Sequence, residues 1–211
     1  MKQKLLGYYN YTVVLTYIGM LTGFAGIVYA FEGNTRSAVL CLMFAGFCDM
    51  FDGTIASTKE RTAQEKCFGI QIDSLSDLIC FGVLPAVLVY TMNQKSYAML
   101  GISALYVLCA LIRLAYFNVD EQERQKTSTS SREVYYGMPV TLSALFLPTI
   151  YALGSFGQRE ANAFLSAALL VMAILFLLPF PIRKPKMLGK LCMMLCGVGE
   201  VILVVMLCAP I

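Results

Sequence analysis

Four aspartates lie where carboxylates are expensive. Asp49, Asp52, Asp73 and Asp77 fall inside long apolar runs of a 211-residue chain. A charged group at mid-bilayer costs roughly 2.5–3.5 kcal/mol even on the lenient insertion scale. Asp49 and Asp52 are three residues apart and Asp73 and Asp77 are four apart, so on helices each pair shares a face. The joint between the two runs is short, which makes them antiparallel neighbours and lets the four carboxylates converge. Their mutual repulsion can be relieved partly by sharing protons. One or two hard divalent cations relieve it directly, with the oxygen ligands that magnesium or manganese prefers. Two such ions about 3.5–4 Å apart form the clamp used in phosphoryl displacement. Gly53, Ala56 and Gly69 leave backbone bare beside the aspartates, where a nucleotide or diphosphate can approach.

Carboxylates in transmembrane helices also serve as proton relays or ion-coupling groups. Transporter sites of that kind lie near the midplane in broken helices. Asp52, by contrast, is about 7.5 Å from the end of its apolar run at residue 57, so the cluster is expected to be shallow and open to one side. Glu200 is a fifth acidic residue within an apolar run. It stands alone and reads as a snorkelling or protonated group.

The elements that position these residues are membrane helices. The chain is 58% hydrophobic and only 14% charged, too little charge to cover a water-facing surface. Both a soluble domain and a disordered chain are excluded. Apolar stretches of about 20 residues, the length of a spanning helix, run over 11–31, 36–57, 69–92, 96–117, 137–154, 161–181 and 188–209. The expected fold is an all-α polytopic membrane protein with six or seven transmembrane helices. A short N-terminal interfacial helix is expected over Met1–Asn10, where Lys2 and Lys4 flank Leu5, Leu6, Tyr8 and Tyr9. One membrane-embedded domain covers 1–211, with its chemistry at 49–77 and C-terminal helices at about 137–209.

With the N-terminus inside, the inner segments carry 12 Lys and Arg and the outer ones 3. The positive-inside rule therefore places the N-terminus and the aspartates on the cytosolic face of the cell membrane. Two inner loops are expected, 58–68 and a mobile, Ser/Thr-rich 118–136. The run from Val13 lacks a small-residue cleavage site, so no cleaved leader is expected.

Zero histidine removes His-based triads, His-ligated zinc and phosphohistidine chemistry. A net charge of +3 is too small to indicate nucleic-acid binding. The eight cysteines form no CxxC pair and read as small packing residues. Gly19 and Gly23, four apart in the first run, read as a close helix contact.

The motif Asp49-Met-Phe-Asp52-Gly53-Thr-Ile-Ala56, then Gly69-Ile-Gln-Ile-Asp73-Ser-Leu-Ser-Asp77, resembles the signature of the CDP-alcohol phosphatidyltransferase family. That signature is D-x2-D-G-x2-A-R followed by G-x3-D-x3-D. Three further segments resemble those of the family's serine-using members: Asp73 to Pro85, Arg113-Leu-Ala-Tyr-Phe117-Asn118, and Tyr136-Gly137-Met-Pro139. The likeness runs from about Thr16 to Pro139. It implies a helical membrane enzyme, commonly a homodimer, that moves a phosphatidyl group from CDP-diacylglycerol to the hydroxyl of L-serine. By the resemblance, Asp49, Asp52 and Asp73, helped by Asp77, hold two divalent ions (Mg2+ or Mn2+), and Asp77 is the base. Gly53, Ala56 and Gly69 lie against the nucleotide and phosphates.

The chain departs from the pattern at two places. Ser57 stands where the family has arginine, and the stretch between Ser57 and Gly69 is about three residues longer than the pattern. The longer loop is expected to return the lost cation, with Arg61 first and Lys59 or Lys66 next; solvated loop charges are the blander reading. Arg113, inside an apolar run, is expected to meet substrate phosphate, the serine carboxylate or one of the aspartates. Tyr116 replaces the second arginine of R-L-A-R-F-N. Three other readings stay open: a different acceptor such as glycerol 3-phosphate or an inositol phosphate, a cation or proton transporter, and a protein that binds CDP-lipid without turnover.

Overall fold

A computed structural model describes residues 6–127, 134–154, 158–183 and 187–207. Residues 6–10 are a bend and an irregular lead, with Gly7 at φ +123°. The expected surface helix does not extend through this part, and Met1–Leu5 with Lys2 and Lys4 lies outside the described residues. Asn10 ends the lead. Its side-chain oxygen accepts from the Thr12 N–H at 3.0 Å and also from the Thr12 hydroxyl, which starts a 3₁₀ turn, Tyr11–Val13, that runs into α1, Val14–Phe31. A tight turn with Gly33 at φ +80° reverses the chain. Asn34 then caps α2, Thr35–Ala56, by accepting from the Ser37 N–H at 3.2 Å.

Helix α3, Ala63–Asp77, begins six residues before the apolar run. Thr62 and Glu65 form a reciprocal cap: the Thr62 N–H donates to Glu65 at 2.9 Å and the Glu65 N–H to the Thr62 hydroxyl at 3.2 Å. The expected loop over 58–68 therefore shrinks, because a helix leaving the bilayer needs a cap rather than apolar residues. A π-helical turn, Leu78–Val83, continues α3 into α4, Leu84–Met92. Pro85 has no N–H to offer the carbonyl of Phe81, four residues before it. Tyr106 and Ser143 fill that place, donating to Phe81 O at 2.8 and 3.4 Å, and both are fully buried.

Helix α5, Tyr97–Thr127, runs ten residues past its apolar stretch. There Arg124 pairs with Glu121 at 2.6 Å, and Glu, Gln and Arg favour helix in water. The expected 118–136 loop is thus helical through 127; residues 128–133, Arg132 among them, lie outside the described residues. A two-stranded antiparallel ribbon follows, β1, Val134–Tyr136, with β2, Pro181–Arg183. Strands of three residues are too short for alternation to reveal in sequence. Between them are a 3₁₀ turn, Val140–Leu142, then α6, Ser143–Leu153, and α7, Gln158–Leu177; α8, Met187–Leu207, closes the fold. Lys184, Lys186 and Cys208, and the side chains of Lys190 and Cys192, lie outside the described residues.

Segments expected on one side of the membrane do meet. The N-terminal lead reaches the start of α3 through Tyr8 to Gln64 at 3.0 Å and Asn10 to Glu65 at 3.3 Å, and the ribbon joins the two later loops. At the opposite end, Asn162 on α7 donates to Met92 O and Arg36 on α2 donates to Val205 O on α8, both at 2.9 Å. Helix α8 therefore runs from the ribbon side to the far side, about 30 Å.

Among the described residues, four helical stretches are long and apolar enough to cross a membrane: Tyr11–Phe31, Thr35–Ala56, Ala63–Met92 and Tyr97–Arg124. Val140–Leu153, Asn162–Leu177 and Met194–Met206 are shorter apolar helices. Large apolar side chains such as Phe24, Phe164 and Ile202 face outward, as they do toward lipid. The protein is an all-α polytopic membrane protein.

Helix α1 packs through its glycines onto cysteines. A Cβ on Gly23 would lie 2.5 Å from Cys80 Sγ, one on Gly26 2.9 Å from Cys41 Cβ, and one on Gly19 3.2 Å from Cys48 Cβ. The expected close contact at Gly19 and Gly23 is present, and these three cysteines are the small partners that fit it.

Candidate active site

The last turns of α2 carry Asp49 and Asp52, and the C-terminal half of α3 carries Asp73 and Asp77. Carboxylate oxygens of Asp49, Asp52 and Asp73 lie within 4.8 Å of one another. Asp49 and Asp77 are within hydrogen-bonding reach, as are Asp52 and Asp73. All four line one cavity of about 10 Å³, room for roughly one water-sized body.

Helix α1 and helix α5 hold the two aspartate helices in register. The Thr16 hydroxyl donates to Asp52 Oδ2 at 3.1 Å, and the Thr16 carbonyl accepts from the Ser76 hydroxyl at 3.3 Å. On the other side Ser74 donates to Asn118 Oδ1 on α5 at 2.7 Å. Reading the sequence for site residues missed these four. Both serines lie between the two aspartates of α3, and Asn118 closes a quoted motif, so those signals were present; Thr16 has none beyond its place one turn before Gly19.

The chemistry of the donor set suits a hard divalent cation. The ligands are all carboxylate oxygens, and Asp73 Oδ1 is buried without a hydrogen-bond partner among the described residues. This group of acidic residues could hold a metal ion.

A second cleft of about 160 Å³ adjoins the first and shares Thr16, Asp52 and Asp73 with it; Gly53, Ala56, Gly69 and Arg61 are also in its wall, with Thr12, Val13 and Ile70. Arg61 reaches the cleft across Gly69, where a Cβ would sit 3.0 Å from Arg61 Nη1. Its Nε is buried and lacks a hydrogen-bond partner among the described residues. Ser57 caps α2 instead, donating to Thr54 O at 2.6 Å. Lys59 pairs with Glu65 at 3.7 Å, and Lys66 is exposed. Of the three loop cations, Arg61 is the one that lines the cleft.

Arg113 is separate. It is buried, with its guanidinium 5.5 Å from the Phe117 ring centroid. It opens on another cleft of about 450 Å³, with Tyr116, Tyr136 and Phe176. The structure thus brings eight of the nine expected site residues to two adjoining cavities and leaves Arg113 outside both. Glu200 does not snorkel. It turns inward from α8 and accepts from the Thr149 hydroxyl on α6 at 2.6 Å.

Comparison with known proteins agrees with this geometry. Residues 9–180 match the CDP-alcohol phosphatidyltransferase family. The chain is 29% identical to the archaetidylserine synthase of Methanothermobacter thermautotrophicus, over 83% of this chain and 70% of that protein. It is 32% identical to the CDP-diacylglycerol–serine O-phosphatidyltransferase of Bacillus subtilis, over 70% of this chain and 84% of that one. The Saccharomyces cerevisiae protein of the same name is 33% identical over 64% of this chain, and the match spans about half of the yeast protein (52%).

Proposed function

This chain belongs to the CDP-alcohol phosphatidyltransferase family, and we propose that it transfers the phosphatidyl group of CDP-diacylglycerol to L-serine, giving phosphatidylserine and CMP. The observation that carries the reading is the convergence of four carboxylates from two helices on one small cavity that opens beside Arg61. The names of the relatives support serine as the acceptor. The absence of arginine at Ser57 and Tyr116 leans against an acceptor that carries its own phosphate.

Arg61 and the bare backbone at Gly53 and Gly69 hold the donor's diphosphate, with Ala56 alongside. Asp49, Asp52, Asp73 and Asp77 hold one or two Mg2+ or Mn2+ ions, which when bound supply Lewis-acid stabilisation of phosphate charge. Asp77 takes the proton from the serine hydroxyl; with no histidine in the chain, a carboxylate is the natural base. The serine oxygen forms its bond to the phosphorus that carries the diacylglycerol. The bond from that phosphorus to the bridging oxygen breaks, and its electron pair leaves with CMP. Arg113, in its own cleft, is assigned an anionic group of a substrate, the serine carboxylate or a phosphate. The aspartate end faces the cytosol at the cell membrane, and the active form is a homodimer.

The test is CMP release by the purified protein with CDP-diacylglycerol, magnesium or manganese, and each acceptor alcohol in turn. Serine-dependent, metal-dependent release that disappears in Asp77→Asn is the expected result. Release driven by another alcohol would reassign the acceptor. Donor binding without release for any acceptor would leave a CDP-lipid-binding protein.

A further inference from the structure

Asn10 joins two sides of the cleft that holds Arg61. Its carboxamide oxygen accepts from the Thr12 N–H at 3.0 Å and from the Thr12 hydroxyl, and its amide nitrogen donates to Glu65 Oε1 at 3.3 Å. Thr12 and Val13 line the cleft from the turn before α1, and Arg61 lines it from the connection between α2 and α3. Glu65 carries the link to that connection. Its other oxygen accepts from the Thr62 N–H at 2.9 Å and from the Thr62 hydroxyl at 3.2 Å, and Lys59 Nζ lies 3.7 Å from Oε1. One carboxylate thus fixes the residue after Arg61 and the side chain two residues before it. The lead grips the same stretch twice more. The hydroxyls of Tyr11 and Thr58 share a hydrogen bond at 3.0 Å, and the Tyr8 ring packs on Phe68 with centroids 5.6 Å apart.

We propose that Asn10 and Glu65 are positioning residues for Arg61: the lead before α1 anchors the connection between α2 and α3, and so sets where the Arg61 guanidinium meets the donor's diphosphate. The inference rests on the donor proposed above. This connection is the stretch that runs about three residues longer than the family signature, and a longer connection has more backbone freedom to restrain. An arginine side chain is also rich in rotamers, and holding it in its bound conformation beforehand strengthens binding. Neither Asn10 nor Glu65 is among the residues of the cleft wall, so the pair acts on the donor through Arg61 and Thr12.

The pair allows an exchange of donor and acceptor. Asn10→Asp keeps the oxygen that caps Thr12 and turns a second oxygen on Glu65. Glu65→Gln sets its amide group against either the Thr62 N–H or the Asn10 amide, donor facing donor. Together the two substitutions reverse the bond and restore the original net charge. The experiment measures CDP binding, kcat, and KM for CDP-diacylglycerol and for serine, with the full chain in detergent. Each single substitution is expected to weaken CDP and raise the donor KM about three- to fivefold, the effect of one hydrogen bond. Serine KM and kcat should stay nearly unchanged, and the double variant should return to within about twofold of wild type. On an Arg61→Ala background neither substitution should add a loss. Single variants that shift donor affinity in opposite directions would mean that only their charge matters, and would overturn the inference. Losses spread evenly over kcat and both KM values would mark a general loss of structure and overturn it too. Single variants equal to wild type, beside an Arg61→Ala that loses the donor, overturn this inference and leave the donor assignment standing. A wild-type chain that neither binds CDP nor releases CMP overturns the donor assignment and the inference with it. Where a single variant fails to fold, the double variant is the test: CDP affinity at the wild-type level upholds the exchange, and a weakened affinity overturns it.

Discussion

Thr16 on α1 holds Asp52 on α2: its hydroxyl donates to Asp52 Oδ2 at 3.1 Å. The same residue accepts from Ser76 on α3 through its carbonyl, so one threonine fixes the spacing of the two aspartate helices. Partners that orient metal ligands are typically worth 10–100-fold in metal affinity or activity. Thr16→Val keeps the shape and removes the donor. It is expected to raise the magnesium or manganese needed for half-maximal CMP release by about tenfold or more, with turnover mostly recovered at saturating metal. Thr16→Ser keeps the hydroxyl and is expected to behave as wild type. An unchanged metal requirement in Thr16→Val would remove this residue from the site.

The aspartates were legible before any coordinates because burial of charge in lipid is so costly that four occurrences at helical spacing leave few explanations. The helix ends were less legible. Hydropathy marks where the bilayer ends, whereas α3 begins at a Thr62–Glu65 cap and α5 continues to Thr127 on helix propensity. The π-turn after Asp77 is explicable from Pro85, yet the residues that satisfy Phe81, Tyr106 and Ser143, come from 21 and 58 positions further on than Pro85, a long-range relation that no local pattern carries. Arg61 was named for its charge in a lengthened loop; that it passes over Gly69 into the cleft required the fold. Arg113 stands out by its place inside an apolar run; that it opens on a cleft with Tyr136, which pairs with Pro181 in the ribbon, required the fold.

Gly23 is held against Cys80. An added Cβ would lie 2.5 Å from Cys80 Sγ and 3.3 Å from Cys80 Cα, so rotating the thiol away does not free the space. Gly23→Ala is expected to cost about 1–3 kcal/mol, read as reduced thermal stability in detergent, and Cys80→Gly in the same chain should recover part of it. Gly53→Ala is the contrast, since its Cβ would meet nothing within 4 Å among the described residues. It should raise stability slightly, by about 0.5–1 kcal/mol, the helix-interior advantage of alanine over glycine, while narrowing the cleft.

Four converging carboxylates destabilise one another when no cation is bound. Asp73→Asn removes one negative charge and gives Asp52 an amide donor in its place. The metal-free variant is expected to melt about 2–4 °C above metal-free wild type, the shift for roughly 1 kcal/mol in a chain of this size. Added magnesium or manganese should stabilise wild type and leave the variant nearly unmoved, and CMP release should fall at least about 100-fold. A site kept at the expense of stability behaves in this way. Should the variant melt below wild type without metal, the aspartates would be serving packing.

Arg61 and Ser57 can be tested as exchangeable sources of one positive charge. Arg61 lies against Gly69 in the cleft with Asp52 and Asp73, while Ser57 stands at the family signature's arginine position and closes α2 through Thr54. Charge-assisted contacts to phosphate contribute about 1.5–3 kcal/mol. Arg61→Ala is therefore expected to raise KM for CDP-diacylglycerol about tenfold or more, with a smaller change in kcat and none in KM for serine. Ser57→Arg introduced beside Arg61→Ala should restore most of the donor affinity, because position 57 directly follows Ala56, which lines the same cleft as Arg61. Ser57→Arg alone should change little, since the charge is already supplied. Gly69→Ala pushes the guanidinium from its path and is expected to reproduce Arg61→Ala in part. If the donor KM of Arg61→Ala matches wild type, the longer loop carries only solvated charge, and the cation lost at position 57 has no replacement.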